Sequence, residues 1–153
     1  MTSMTKVTPL QVIDAAIERL SEEDGYITND YHDNDGDVTT STAHCAIGGV
    51  EHGIWKLLRE DVTEWRDEVA YAGSAKTHDP EPLMPVKVAE LPAVQVYGQV
   101  MRVLNEEAVK MFPVDNPDYR IIFDVEDVSL RRSKEDVLAV FQAARRRIHA
   151  EES

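Results

Sequence analysis

The sequence predicts a mainly α protein: a single compact domain of four to five helices, with one or two short β-strands or a hairpin at the margin. Three observations predict it. Apolar residues recur at helical spacing in several separate stretches. Helix-start signals precede two of them, Thr8-Pro9-Leu10-Gln11 and Ser133-Lys134-Glu135-Asp136. A length of 153 residues, 42% hydrophobic and 29% charged, suits one core spanning residues 1–153 and leaves little room for two.

The first helix is the best marked. Thr8 caps it, Pro9 takes the first helical position, Gln11 completes a capping box, and Leu10, Ile13, Ala16, Ile17 and Leu20 form its apolar face. It should run from residue 9 to 24 and stop at Gly25. Residues 26–40 place β-branched and aromatic ends around the polar Asp33-Asn34-Asp35-Gly36-Asp37, which reads as a loop or short hairpin. A second helix is expected over 43–58, capped by Ser41 or Thr42, with 60–70 continuing it after a bend or forming a third. Gly73, Ser74, Pro80, Pro82, Pro85 and Pro92 make 72–92 a proline-rich connector, with an extended piece at Pro85–Val88. A helix follows over 93–111, closed by Pro113, then a strand-like run at 119–123. Ser133 caps the last helix, whose inner face is Val137, Val140, Phe141, Ala144 and Ile148. The glycine-bearing helix 43–58 should be central, against the first and last helices.

Charge and cysteine use exclude several classes of function. The formal net charge of −13 repels nucleic-acid phosphates and anionic membranes at long range. Met1–Lys6 lacks the pattern of a secretory signal, and no apolar run approaches the ~20 residues that cross a bilayer, so a cytoplasmic location is expected. A single cysteine excludes an internal disulfide framework and any multi-cysteine zinc site. Basic residues gather near the C-terminus as Arg131, Arg132, Lys134, Arg145, Arg146 and Arg147; they complement the last helix dipole or dock on an acidic surface.

No cofactor and no metal is expected. With Gly36 in the sixth position of a calcium loop, Tyr31 and Thr42 fall where principal carboxylates belong, so the acidic cluster reads as a polar turn. His44 and His52 are eight residues apart, roughly 12 Å along one helix, too far to share an ion; His32, His78 and His149 add no pattern.

Cys45 is the one candidate nucleophile. A thiol at a helix start feels the positive end of the dipole, but a dyad also needs a base in reach. His44 points roughly 100° away and His52 lies two turns off, which leaves His78 from the connector. Ala46, Ile47, Val50, Ile54, Leu57 and Leu58 form an apolar stripe, with Cys45, Gly48, Gly49, His52 and Lys56 opposite. Each interior glycine costs about 1 kcal/mol of helix stability relative to alanine, and close packing of a neighbouring backbone is the usual compensation. No residue is therefore favoured as catalytic; Cys45, Gly48, Gly49 and Gly53 are assigned structural roles, and Cys45 with His52 or His78 is the set to consider if the protein is an enzyme.

The segment Cys45-Ala46-Ile47-Gly48-Gly49, the preceding apolar helix, Ile121-Ile122-Phe123-Asp124 and the capped helix from Ser133 together resemble a known family. It consists of short, uncharacterised proteins of actinobacteria and their bacteriophages, with a Cys-Ala-x-Gly-Ala-like helix and an aromatic-Asn-Asp-like segment before the closing helix. The likeness covers both ends of the chain and not residues 60–92. Gly49 stands where alanine is expected, and Phe123-Asp124-Val125 replaces the aromatic-Asn-Asp run. The resemblance implies an actinobacterial or phage origin and no particular reaction.

The function expected on these grounds is a small acidic interaction module that binds another protein, phage-encoded and acting on a host protein, without direct nucleic-acid or membrane binding. A cysteine-dependent hydrolase or transferase using Cys45 is the first alternative. An acidic DNA mimic that inhibits a nucleic-acid-binding protein is the second.

Overall fold

In the computed structural model, residues 7–27, 31–73, 85–113, 125, 128–129 and 132–152 are described. Helix α1 spans Pro9–Ser21 and opens with the complete capping box: Gln11 N–H donates to Thr8 Oγ1 at 3.2 Å and Thr8 N–H to Gln11 Oε1 at 2.9 Å. Thr8→Ala removes one of these bonds and is expected to cost about 1 kcal/mol, read from a urea midpoint. The helix stops three residues before the sequence places its end, because Glu22 turns extended. Gly25 is required there by crowding: a Cβ would lie 1.9 Å from the Arg19 carbonyl oxygen.

The loop between α1 and the next long helix forms no hairpin among its described residues. Tyr26 and His32 each make an isolated bridge to His44, and Asp33–Gly36 closes a single helical turn, α2. Asp33 gathers the far side of this loop, accepting from Thr42 N–H at 2.9 Å and Thr42 Oγ1 at 3.2 Å. Ser41 hydrogen-bonds to the carbonyls of Asp33 and Asp37. Ser41 and Thr42 are thereby consumed, which is why neither caps the following helix. Helix α3 runs Ala46–Leu58 with Cys45 at the N-cap, three residues later than the spacing suggests.

Arg59 ends α3 in a left-handed conformation (φ 57°), so 60–70 does not continue it. Instead Val62 is the N-cap of a 3-10 turn, Thr63–Trp65, with Thr63 N–H on Asp61 Oδ1 at 2.9 Å, and this turn leads into α4, Arg66–Gly73. Pro85–Val88 is not extended: the Pro85 carbonyl accepts from Val88 and Ala89 N–H at 3.0 Å and starts the one-turn helix α5, Val86–Ala89. Helix α6 is Pro92–Met111 and α7 is Lys134–Glu152, with Asp136 N–H on Ser133 Oγ at 3.2 Å. The strand expected at 119–123, and most of the connector with His78, lie outside the described residues.

The protein is mainly helical with one hydrophobic core. The sequence places α3 at the centre against α1 and the last helix; in the structure α3 is buried on every side over Ala46–Ile54 but packs on α1 and α6, while α7 packs mainly on α1 and α6 and α4 on α6. The reason is α6, whose buried residues Ala93, Val94, Val96, Tyr97, Val100, Met101, Val103, Leu104 and Ala108 cover several faces. On α7 the five buried residues are Val137, Val140, Phe141, Ala144 and Ile148. Two of its three arginines turn onto the protein itself: Arg145 bonds Asp14, and Arg147 reaches Glu106 at 2.6 Å and Glu107 at 3.3 Å. No helix among the described residues is long and apolar enough to cross a membrane.

Candidate functional site

A charged residue inside an apolar helix must find partners or pay a large desolvation cost. Glu51 is the one acidic residue between Ala43 and Trp55, and it is 1% exposed. Its carboxylate collects four donors from three other segments. Oε1 accepts from His32 Nε2 and Arg66 Nη2, both at 2.7 Å. Oε2 accepts from Arg66 Nε at 2.8 Å and Tyr97 Oη at 2.5 Å. Loop 31–45, α3, α4 and α6 are thus tied at one anion. The bidentate bond to Glu51 outweighs the downward push of burial and raises the Arg66 pKa. Burial, then the adjacent Glu51 charge, raises that of Tyr97, so both donors keep their protons. Arg66 also covers the ring of Tyr31, 3.6 Å from its centroid.

The network extends from His32 into a histidine stack. His32 and His44 meet through their Nδ1 atoms at 2.7 Å, and the rings of His44 and His52 stack with centroids 4.8 Å apart. The carboxylate can only accept, so His32 Nε2 donates to Glu51. With one proton per ring, His32 Nδ1 is then an acceptor for His44 Nδ1–H, and His44 Nε2 is left bare. Arg19 Nε–H donates to His52 Nε2 at 3.3 Å, which places the His52 proton on Nδ1. His44 Nε2 and His52 Nδ1 are buried and meet no partner among the described residues. Burial first, then the neighbouring His32, His52 and Arg19, holds the His44 pKa down to about 3. Burial, followed by Arg19, Lys56 and His32, brings His52 down to about 4.

The helical estimate of roughly 12 Å between His44 and His52 is therefore corrected to stacked rings. His44 lies before the helix, in a segment stitched by its own amide to Gly25 O and by its carbonyl to Ile27 N–H, both at 3.0 Å. Gly48 makes room for the return: a Cβ there would sit 3.2 Å from His44 Cβ and 1.8 Å from the Tyr31 carbonyl oxygen. At Gly49 a Cβ would meet the Leu20 side chain at 2.8 Å, and at Gly53 the Val12 carbonyl oxygen at 2.8 Å.

Cys45 is 0% exposed at the N-cap of α3 and makes no side-chain capping bond. The structure brings His32, His44 and His52 together but holds the imidazoles on one another, on Glu51 and on Arg19. His149 is exposed on α7, apart from this network. Among the described residues, no cluster of His, Cys, Asp or Glu has the arrangement that holds a metal ion. Arg19, Arg66 and Tyr97 carry no sequence signal that marks them for this site. Glu51 does, as an isolated carboxylate in an apolar helix. A separate cleft of about 250 Å³ lies at the starts of α1 and α6, between Pro9, Leu58, Pro92 and Gln95; it is lined by no ionisable side chain.

Residues 4–147 match a family of unknown function, DUF6197, and the chain belongs to that family. No curated protein and no solved structure matches the chain.

Proposed function

We propose that this protein is a non-catalytic interaction module that binds a basic surface of another protein through the acidic segment Glu60–Glu68. The observation that carries this reading is the sorting of its polar groups. Groups suited to catalysis, Cys45, His32, His44, Glu51 and Tyr97, are at most 1% exposed and engaged inside the fold. Glu60, Asp61, Glu64 and Asp67 face solvent, and no other described residue forms an ion pair with them. The one cation within their run, Arg66, is turned inward onto Glu51, so the surface it leaves is more acidic than the sequence suggests. The setting implied by the resemblance is a bacterial cytosol, with a phage-encoded copy acting on a host protein.

The test compares wild type with a Glu60→Gln, Glu64→Gln, Asp67→Asn variant as bait in a bacterial lysate, at low and at high salt. Three exposed charge contacts at ~0.5 kcal/mol each predict about a tenfold loss of captured partner in the variant, and a similar loss for wild type as salt rises. Iodoacetamide should modify Cys45 of the folded protein only on the time scale of unfolding. Capture indifferent to the three substitutions overturns the assigned surface. Rapid alkylation of Cys45 at neutral pH overturns the non-catalytic reading in favour of a cysteine-dependent hydrolase or transferase.

A further inference from the structure

We propose that the His32–His44–His52 stack is an acid-released latch that fastens the loop 31–45 to the helical body, so that mild acidification opens this loop before the helices separate. The loop is held to the helices by few side-chain attachments: His32 on Glu51, the His44 ring on His52, Arg19 Nη1 on Thr42 O at 3.2 Å, and Arg66 over the Tyr31 ring. The second of these depends on neutral rings. His44 Nε2 can take a proton, but the resulting N–H would be buried without an acceptor among the described residues. A proton on His52 Nε2 occupies the lone pair that accepts from Arg19, turning that contact into two facing donors. With both rings charged, two imidazolium rings with centroids 4.8 Å apart would also lie beside the Arg19 guanidinium.

The charged groups around the latch reinforce its direction. Arg19 of α1 and Lys56 of α3 disfavour a cation on His52; Arg19 and His32 disfavour one on His44. Asp33 alone favours the His44 cation directly, and its effect ranks last among the influences on that ring. Glu51 is already saturated by His32, Arg66 and Tyr97, so it has no further lone pair to turn toward His44. The carboxyl of Asp33 is itself held below its ordinary value of 3.8: its bonds to Thr42, Ala43 and Ser41 outweigh burial, so it adds to opening only below that pH.

The sign follows from linkage. Once the loop opens, both rings meet water and regain an ordinary pKa near 6.5. In the closed state they bind protons only at about 3 and about 4. The closed loop is therefore at full strength above pH ~6.5 and weakens as pH falls, because the open form holds two extra protons between about pH 6 and pH 4. Its population should rise about 100-fold per pH unit across that window, ten for each proton.

Amide hydrogen exchange of the full chain tests the latch, since the N–H groups of Asp33 and Cys45 are bonded within the loop, to Ala43 O and Tyr31 O. After correction for intrinsic exchange, these amides should lose protection about 100-fold per pH unit below pH 6, while α6 and α7 stay protected. His52→Gln keeps an oxygen acceptor for Arg19 and removes one titrating ring, so the dependence should fall to about tenfold per unit. Loss of protection that spreads equally to α6 and α7, or a slope unaltered in His52→Gln, overturns the proposal. Should that variant not fold, the ring resonances of wild type decide: a His44 or His52 ring that titrates near 6.5 while the loop amides remain protected refutes the latch.

Discussion

Glu51→Ala is expected to destabilise the protein by about 3–5 kcal/mol, the largest effect of any single side-chain truncation in the buried polar network. The loss comes less from the contacts removed than from the groups left behind. Arg66, with 17% of its side chain exposed, keeps its charge in a poorly hydrated site, and the Nε2–H of His32 and the hydroxyl of Tyr97 lose their acceptor. Four chain segments lose their common tie together. Glu51→Gln keeps the shape, but its amide group presents N–H to at least one Arg66 donor, so most of the loss should persist. Urea unfolding with an unchanged m value measures both variants, and a Glu51→Ala midpoint matching wild type within error contradicts the assignment of Glu51 as the hub.

Gly48→Ala should cost about 3 kcal/mol, at the upper end of the range for overpacking, even though alanine gains up to about 1 kcal/mol of helix propensity. The new methyl would lie 1.8 Å from Tyr31 O and 2.8 Å from Tyr31 C. Those are backbone atoms fixed by the bond from Cys45 N–H to Tyr31 O at 3.2 Å, so relief requires lifting the loop and pulling His32 off Glu51. Gly49→Ala provides the internal comparison. The nearest atoms to its methyl, at 2.8–3.1 Å, all belong to the Leu20 side chain and none to backbone, so the core can give way there and the cost should stay well below that of Gly48→Ala, about 1 kcal/mol. Equal midpoints for the two alanine variants would show that the loop backbone is not seated on α3 as described.

Local signals alone determined much of this protein. The capping residues Thr8 and Ser133, the proline at the start of α1, and the apolar spacing of α7 specify helix starts and an inner face within one or two turns of chain, and the structure repeats them. Such features are legible because their physics is local: an unpaired N–H at a helix start is satisfied by the side chain three residues away. Membership of the mainly helical class follows from the same periodicities.

Tertiary structure decided the rest. Whether 26–45 would form a hairpin depended on Asp33 bonding to Thr42 and on Tyr31 lying against Gly48, contacts between residues 9 and 17 positions apart that no local pattern encodes. The distance between His44 and His52 could not be read from their spacing, because His44 left the helix and its ring folded back over a bare glycine. Arg66 and Tyr97 look like ordinary surface and core residues in sequence, and only the meeting of α3, α4 and α6 makes them partners of one carboxylate. The sequence thus set which stretches coil and which sides turn inward, since those choices rest on neighbours a turn away. Which charges are buried together was left to the three-dimensional assembly, because a buried carboxylate recruits donors by proximity in space, wherever along the chain they stand.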